Sequence, residues 1–225
     1  MKKYAVIVAG GSGIRMGVEV PKQFIEILGK PIIIHTLEAF TNAFPDIEFV
    51  VVMNPKWHHL WDEVMNQFPL KNIITTAEGG PTRFHSVKNG LAKIVNDNSV
   101  VGIHDAVRPL VGMEVIHAAY KEAEVFGSAI PVIPVYESIR MKDGAFNEAI
   151  DREKLLIVQT PQCFQTARIK DAYRQNFDEK FTDDALVLES TGERVRLVGG
   201  NEENIKITRP ADVRIAETLM QQRSL

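Results

Sequence analysis

Residues 4–17 read Tyr4-Ala5-Val6-Ile7-Val8-Ala9-Gly10-Gly11-Ser12-Gly13-Ile14-Arg15-Met16-Gly17, with Pro21-Lys22-Gln23-Phe24 close behind. The run from Tyr4 to Ala9 has the length and β-branched content of a buried strand, and it stops at glycines. Glycine has no Cβ, so the backbone beyond the strand can turn sharply and bring N–H groups against an anion. Arg15 and Lys22 add two positive charges within a few residues. Together these features predict a site that handles a nucleotide through its phosphates. Two better-known phosphate loops fail on spacing. A G-x-G-x-x-G fingerprint begun at Gly11 needs glycine where Met16 stands; a P-loop ending at Gly29-Lys30 needs glycine at Phe24 and a hydroxyl at Pro31.

Outward from that stretch the apolar pattern alternates between two periods. Ile33, Leu37, Phe40 and Phe44 recur on one face of a helix begun near Pro31, and Glu48 to Met53 reads as the next strand. Trp57, Leu60, Trp61, Val64 and Phe68 make a second stripe, followed by a strand over Asn72 to Ala77. Pro81 is expected to open a third helix carrying Phe84, Val87 and Leu91, before the strand Val100 to Ile103 and a helix marked by Ile116, Ala119, Tyr120 and Ala123. This alternation predicts an α/β fold with a mostly parallel sheet flanked by helices. The pattern breaks at Ile133. Lys142-Asp143-Gly144 is a tight-turn signal inside residues 134–154, which read as a protruding β-hairpin arm. A strand near Leu155 to Val158, helices around Gln165 to Asn176 and Asp183 to Thr191, short strands at Arg194 to Val198 and Asn204 to Ile207, and a helix opened by Pro210 complete the chain. Residues 1–225 are expected to form one domain with an arm, whose apolar side chains would need a cover, most simply a second copy.

Composition sets the remaining bounds. In 225 residues, 26 basic and 29 acidic side chains leave a net charge of −3, with no basic tract to suit nucleic acid. The one cysteine, Cys163, cannot form an internal disulfide, and no apolar run approaches the roughly 20 residues of a membrane span. With no signal-peptide pattern at the start, a soluble, cytoplasmic protein is expected.

In an open parallel sheet ligands sit at the carboxyl ends of the strands. The opening loop, Gly79-Gly80-Pro81-Thr82-Arg83, His104 to Pro109, and Thr160-Pro161-Gln162 all follow strands and should meet on that edge. Gly79-Gly80 suits close approach to a base or phosphate, or an ordinary strand-to-helix turn. Asp105 could bind a ribose hydroxyl or Mg2+, or merely cap the next segment; Arg108 beside it favours an anionic ligand. Asp183-Asp184 reads as negative charge at a helix start. His35, His58, His59, His85 and His117 show no ligand spacing, so zinc is not expected.

Seven motifs, AGGSGIRM, PKQF, GGPTRFHSV, HDAVRP, DR followed by QTPQ, TDDA and NIKITRPAD, resemble in order those of the 2-C-methyl-D-erythritol 4-phosphate cytidylyltransferase family. The resemblance implies a nucleotidyltransferase-type Rossmann-like fold, Mg2+ as cofactor, and a homodimer with interlocking arms in non-mevalonate isoprenoid biosynthesis. The implied reaction joins CTP to 2-C-methyl-D-erythritol 4-phosphate and releases pyrophosphate. Carried over by position, it implies Arg15, Lys22, Arg152 and Lys206 as catalytic cations. Ala9, Gly10, Gly11, Gly13, Gly80, Arg83, Ser86, Asp105 and Ala106 would hold CTP, with Asp105 also the candidate metal ligand. Arg108, Ser138, Thr160 and Thr182 would join Arg152 and Lys206 around the polyol phosphate, with Asp183-Asp184 ordering that pocket through Thr182 and Arg152 reaching the neighbouring subunit's site. Val107 and Ser138 depart from the usual Ala and Thr, and Val107 is shared with the ribitol-5-phosphate cytidylyltransferases, which would instead form CDP-ribitol. A non-catalytic nucleotide-binding regulatory module is a further alternative; the intact Arg15, Lys22 and Lys206 weigh against it, and Met16 weighs against a dinucleotide-dependent oxidoreductase.

Overall fold

The computed structural model describes residues 1–10 and 21–223. Four adjacent strands run parallel, as expected of the alternating pattern. β1 (Lys2–Val8) lies between β4 (Glu48–Met53) and β6 (Ser99–Asp105), and β5 (Ile74–Glu78) lies outside β4. Two two-residue strands, β2 (Glu26–Ile27) and β3 (Lys30–Pro31), form a separate small hairpin turned through Leu28 and Gly29. A further parallel pairing is at the other side of the sheet, between β7 (Ser128–Pro134) and β12 (Arg196–Gly199).

The centre of the sheet is covered on both faces, which explains β1's unbroken apolar run. Successive side chains point to opposite faces. Ala5 and Ile7 face α1 (Ile32–Ala43), α2 (His58–Gln67) and α4 (Met113–Phe126), while Tyr4 and Val6 face α3 (Arg83–Ala92), α5 (Thr166–Ala172) and α6 (Asp184–Glu189). The predicted stripes supply these contacts: Ile33, Leu37 and Phe40 from α1, Phe84, Val87 and Leu91 from α3. Each such side chain contributes about 1.5–3 kcal/mol through burial. A smaller apolar cluster packs α7 (Pro210–Arg223) on Ile27, Ile32, Val107 and Ile207.

Two elements break the parallel order. β10 (Leu156–Val158) and β11 (Gln162–Gln165) both run antiparallel to β7, against its outer and inner halves, and β11 also runs antiparallel to β6. The chain thus crosses from β10 to β11 through Gln159-Thr160-Pro161 and reaches β6 with Gln162 opposite Ile103. The arm lies off this sheet as its own antiparallel pair, β8 (Ile139–Asp143) with β9 (Phe146–Ile150), Asp143 opposite Phe146 across the turn at Gly144.

Four sequence expectations need correction. Asn204 to Ile207 is not a strand; its backbone is held singly, as by Ile207 N–H donating to Val107 O at 2.9 Å. Pro81 does not open α3, because Thr82 occupies the N-cap, its hydroxyl accepting from His85 N. Pro31 likewise stands at the cap and α1 begins with Ile32. The helix expected to reach Asn176 ends at Ala172.

Gly102, in the middle of β6, fixes how closely α4 approaches. A Cβ there would stand 2.5 Å from the Tyr120 hydroxyl. That hydroxyl accepts from Gly102 N–H at 3.2 Å and donates to Tyr4 O at 2.7 Å, tying α4 to two adjacent strands in the interior. Tyr120→Phe leaves both backbone groups without that partner, and the expected cost is about 1–3 kcal/mol. Urea unfolding should show a lower midpoint at unchanged slope.

Candidate active site

The carboxyl ends of the parallel strands are aligned by backbone bonds that continue past each strand. Ala9 N–H donates to Val52 O at 2.8 Å, Ala106 N–H to Val8 O at 3.1 Å, and Gly79 N–H to Met53 O at 2.8 Å. The loops leaving β1, β5 and β6 therefore start level with one another. They enclose a cavity of about 240 Å³. Ala9, Gly10, Lys22, Gly80, Arg83, Ser86, Asp105, Ala106 and Lys206 line it, as do Val107 and Gln23. Gly11, Gly13 and Arg15 lie outside the described residues.

One wall is built around Gly80. A Cβ at this position would stand 2.4 Å from the His85 Cβ, so only glycine fits against the start of α3. Gly80 N–H donates to Ser86 Oγ at 3.0 Å, and the Ser86 hydroxyl donates onward to Thr82 O at 3.0 Å. Gln23, buried in the lining, donates from Nε2 to Ala9 O at 2.8 Å and so anchors the Pro21-Lys22-Gln23 turn to the end of β1.

The floor is an electrostatic cluster. Asp105 Oδ2 accepts from Arg108 Nε at 3.2 Å and lies 3.0 Å from Lys206 Nζ, while Oδ1 lies 3.9 Å from Arg83 Nε. Burial alone would raise the Asp105 carboxyl, but Arg83, Lys206 and Arg108 outweigh it and hold it well below the usual carboxylate range. Behind it, Asp105 N–H donates to Thr160 Oγ1 at 3.3 Å, and Thr160 Oγ1 pairs with His104 Nδ1 at 2.9 Å. His104 Nε2 lies 3.1 Å from Arg108 O, a carbonyl that can only accept, so the proton sits on Nε2 and the Thr160 hydroxyl donates to Nδ1. This relay needs a neutral ring. Burial brings the His104 pKa down to about 4 despite the opposing influence of Asp105.

Lys206 is placed from both sides. Arg108 Nη1 donates to Asn204 O at 2.7 Å, Asn204 Nδ2 donates to Thr160 O at 2.9 Å, and Ile207 N–H is bound to Val107 O. Arg83 is gripped by Asp184, with Nη1–Oδ1 2.8 Å and Nη2–Oδ2 2.6 Å. The Arg83 guanidinium stays protonated: burial works against the charge, and Asp184 more than offsets it, raising its pKa.

The remaining expected residues lie elsewhere. Arg108 and Thr160 stand behind Asp105 and are not among the cavity lining. Ser138 and Thr182 are exposed, and so is Arg152, whose guanidinium donates to Tyr136 O at the foot of the arm. Sequence reading gives His104 no role and reads Asp184 as helix-terminal charge, the resemblance adding only a role through Thr182 in ordering the substrate pocket. His104 directly precedes Asp105 inside a buried strand, and that adjacency is the available signal for a structural histidine behind the site.

Among the described residues no group of three His, Cys, Asp or Glu side chains could hold a metal ion. Asp105 is the one carboxylate among the described residues lining the cavity. Oδ2 lies against Arg108 and Lys206 and Oδ1 faces Arg83 Nε at 3.9 Å, so Asp105 offers at most Oδ1 as a single protein oxygen, a donor set that suits only an Mg2+ carried largely by phosphate oxygens and water. No helix among the described residues is long and apolar enough to cross a membrane.

A family model described as 2-C-methyl-D-erythritol 4-phosphate cytidylyltransferase matches residues 4–222. The chain belongs to this cytidylyltransferase family. The Bacteroides fragilis cytidylyltransferase of that name is 48% identical over 222 residues, which cover 98% of this chain and 100% of its own. Its counterpart from Geobacillus thermodenitrificans is 35% identical over 226 residues, 99% of each chain. The crystal structure of the Thermus thermophilus cytidylyltransferase superimposes with a TM-score of 0.76 at 30% identity, covering 98% of this chain and 100% of that one. Cytidylyltransferases are nucleotidyltransferases, and the cavity lies at the carboxyl ends of the strands, where open α/β sheets bind ligands.

The environment of His104 predicts a pH dependence for folding. A histidine whose folded pKa is lowered from 6.5 to about 4 binds its proton less tightly when folded. Its stabilising contribution is therefore complete above about 6.5 and is lost as the pH falls through about 4, on the order of 3 kcal/mol in all. The Asp105 carboxyl is lowered as well, but from the ordinary carboxylate value of 3.8, so its contribution is lost only below that value and the two windows separate. Unfolding free energy measured in urea should fall between pH 7 and pH 5, and His104→Gln should lack most of that fall.

Proposed function

We propose that this chain transfers the cytidylyl group of CTP to 2-C-methyl-D-erythritol 4-phosphate, giving 4-diphosphocytidyl-2-C-methyl-D-erythritol and pyrophosphate, in non-mevalonate isoprenoid biosynthesis. The observation that carries the reading is the cavity itself, lined by Lys22 and by Arg83 and Lys206, the latter two beside a single acid, Asp105, in a chain that matches its family over residues 4–222.

The chemistry calls for cations more than for a proton-transfer group. The nucleophile is a phosphate monoester oxygen, whose second pKa is about 6, so it is already largely ionised near neutrality. It attacks the α-phosphorus of CTP; the new P–O bond forms as the bond to the β-phosphate oxygen breaks, and pyrophosphate leaves with the electron pair. Two anions must be brought together in line, and charge neutralisation with positioning supplies the rate. In this reading Arg15 and Lys22 neutralise charge developing at the α-phosphate. Gly10, Gly11, Gly13, Gly80, Arg83, Ser86 and Ala106 hold the nucleotide, and Lys206 with Arg152 holds the attacking phosphate. Arg108, Ser138, Thr160 and Thr182 complete the polyol side. Mg2+, when bound, would add positive charge at the triphosphate, and Asp105 is the residue that would hold it.

Arg152 completes such a site only from a second subunit, and a homodimer through the arm is part of the proposal. Phe146 is 81% exposed, and Tyr136 and Met141 are also exposed. An apolar arm of this kind is a liability in a monomer and a contact in a dimer. The buried free thiol of Cys163 suits a reducing compartment, and the cytoplasm is the proposed location.

With CTP, Mg2+ and either 2-C-methyl-D-erythritol 4-phosphate or ribitol 5-phosphate, pyrophosphate should be released only with the former; release only with ribitol 5-phosphate would refute the assignment. Lys206→Ala should lower turnover on the order of 100-fold or more with the fold intact by circular dichroism. If Arg152 acts across the dimer, mixing inactive Lys22→Ala with inactive Arg152→Ala should restore about a quarter of wild-type activity, because half the dimers then carry one complete site. No recovery on mixing would confine Arg152 to its own subunit.

A further inference from the structure

Arg83 stands between two carboxylates. Its Nη atoms are both committed to Asp184, and its Nε faces Asp105 Oδ1 at 3.9 Å. Asp184 is 0% exposed. Its bonding is completed by the Tyr173 hydroxyl, which donates to Oδ1 at 2.6 Å. Burial, and next the nearby Asp184, push the Tyr173 phenol well up, so it keeps the proton it donates.

The backbone beneath Asp184 is equally fixed. Gln162 Oε1 accepts from Asp184 N–H and Ala185 N–H, each at 2.9 Å, and Gln162 Nε2 donates to Asp183 Oδ2 at 2.9 Å. Gln162 is the first residue of β11 and pairs with Ile103, two positions before Asp105 in β6. One strand register thus sets the position of Asp184 relative to Asp105, and the bidentate fork sets the plane of the guanidinium between them.

We propose that Asp184, held by Gln162 and Tyr173, is a positioning residue that keeps Arg83 at the wall of the cavity and off Asp105, and that CTP binding depends on this placement. The inference rests on the reading of Arg83 as a nucleotide contact. Without the Asp184 charge, the nearest carboxylate left to Arg83 is Asp105. The guanidinium would move onto it, across the floor where Lys206 and Arg108 already sit, and the nucleotide would lose a fixed cation.

Charge and position predict opposite signs, which makes the test decisive. Removing a negative charge near a polyanion site would by itself tighten CTP binding. Loss of positioning weakens it. Asp184→Asn should raise the Kd for CTP, measured by calorimetry, by about tenfold or more, as expected for a lost charge-assisted hydrogen bond. The KM for the polyol phosphate should stay within about twofold. In an Arg83→Ala background the same substitution should add nothing, because its effect runs through Arg83. Unchanged or tighter CTP binding by Asp184→Asn, or an equal weakening in both backgrounds, would overturn the proposal. If Arg83→Ala itself binds CTP normally, the reading of Arg83 as a nucleotide contact fails and the inference falls with it; a weakened Arg83→Ala beside a neutral Asp184→Asn overturns the inference alone. Should Asp184→Asn fail to fold, Tyr173→Phe keeps the charge and removes one of its supports. It should weaken CTP about threefold in the wild-type background and not in Arg83→Ala, and no weakening would count against the proposal.

Discussion

The ion cluster at the end of β6 is the constraint on which the site depends. Arg83, Arg108 and Lys206 all lie within 4 Å of the Asp105 carboxylate. Cations packed this closely repel one another, and a carboxylate buried alone would cost several kcal/mol in lost hydration. Each half of the cluster is tolerable only because of the other. Removing the acid would leave Arg108 and Lys206 without a shared counter-ion, Arg83 alone keeping its own in Asp184, and removing a cation would leave a buried charge undercompensated by its partners. The surrounding fold therefore has to hold the whole set at fixed separations, and the hydrogen bonds behind Asp105 do this. Thr160 receives its N–H, neutral His104 orients the Thr160 hydroxyl, and His104 in turn donates to the backbone of Arg108, which bonds the same carboxylate.

The element that makes this possible is the antiparallel crossing between β10 and β11. A wholly parallel sheet would bring only loops to its carboxyl edge. Here the start of an antiparallel strand arrives there too, and its residues divide the task. Thr160 supports Asp105 through its hydroxyl and, through its carbonyl, supports Asn204 and the segment carrying Lys206. Gln162 supports α6 and Asp184, and through them Arg83. Both flanks of the cavity are thus referenced to one short stretch of backbone. Errors in the relative placement of Arg83 and Lys206 are smaller than if two independent loops had to agree.

Much of this is legible in the sequence, and the exceptions have physical causes. Helical stripes such as Ile33-Leu37-Phe40 and the run of β1 identify themselves because one face or both must be apolar to be buried. The hairpin announces itself through Lys142-Asp143-Gly144 because its turn has a local chemical requirement. β7 carries Pro131 and Pro134, and β11 is four residues long with glutamine at both ends, so neither displays a strand period. Asn204 to Ile207 has alternating apolar residues but is held by Arg108, Thr160 and Val107 singly, and no periodicity distinguishes that from a strand. Asp184 is the clearest case. In sequence it is an acid at a helix start, where acids are common anyway. Its partner Arg83 lies 101 positions away, and only the tertiary fold brings them together.

Lys206 shows how the cavity acquires a cation through placement. On its own segment it is a half-exposed lysine next to a buried isoleucine, with nothing to mark it. Val107 and Asn204 hold the backbone on either side, and Asp105 draws the ammonium over the cavity at 3.0 Å. In the proposed reaction, a phosphate entering there would exchange one anionic partner of Lys206 for another of higher charge. The cation does not have to be ordered at the moment of reaction, since Asp105 has already ordered it. That is electrostatic preorganisation in the useful sense: the cost of assembling like charges is met during folding, and the anion that assembles them leaves enough unsatisfied positive charge for a second anion to be attracted. A cluster of cations without Asp105 would attract phosphate more strongly but would not stay assembled. A second carboxylate in the lining would hold the cations more firmly, at the expense of neutralising them. One acid among Arg83, Arg108 and Lys206 lies between these limits.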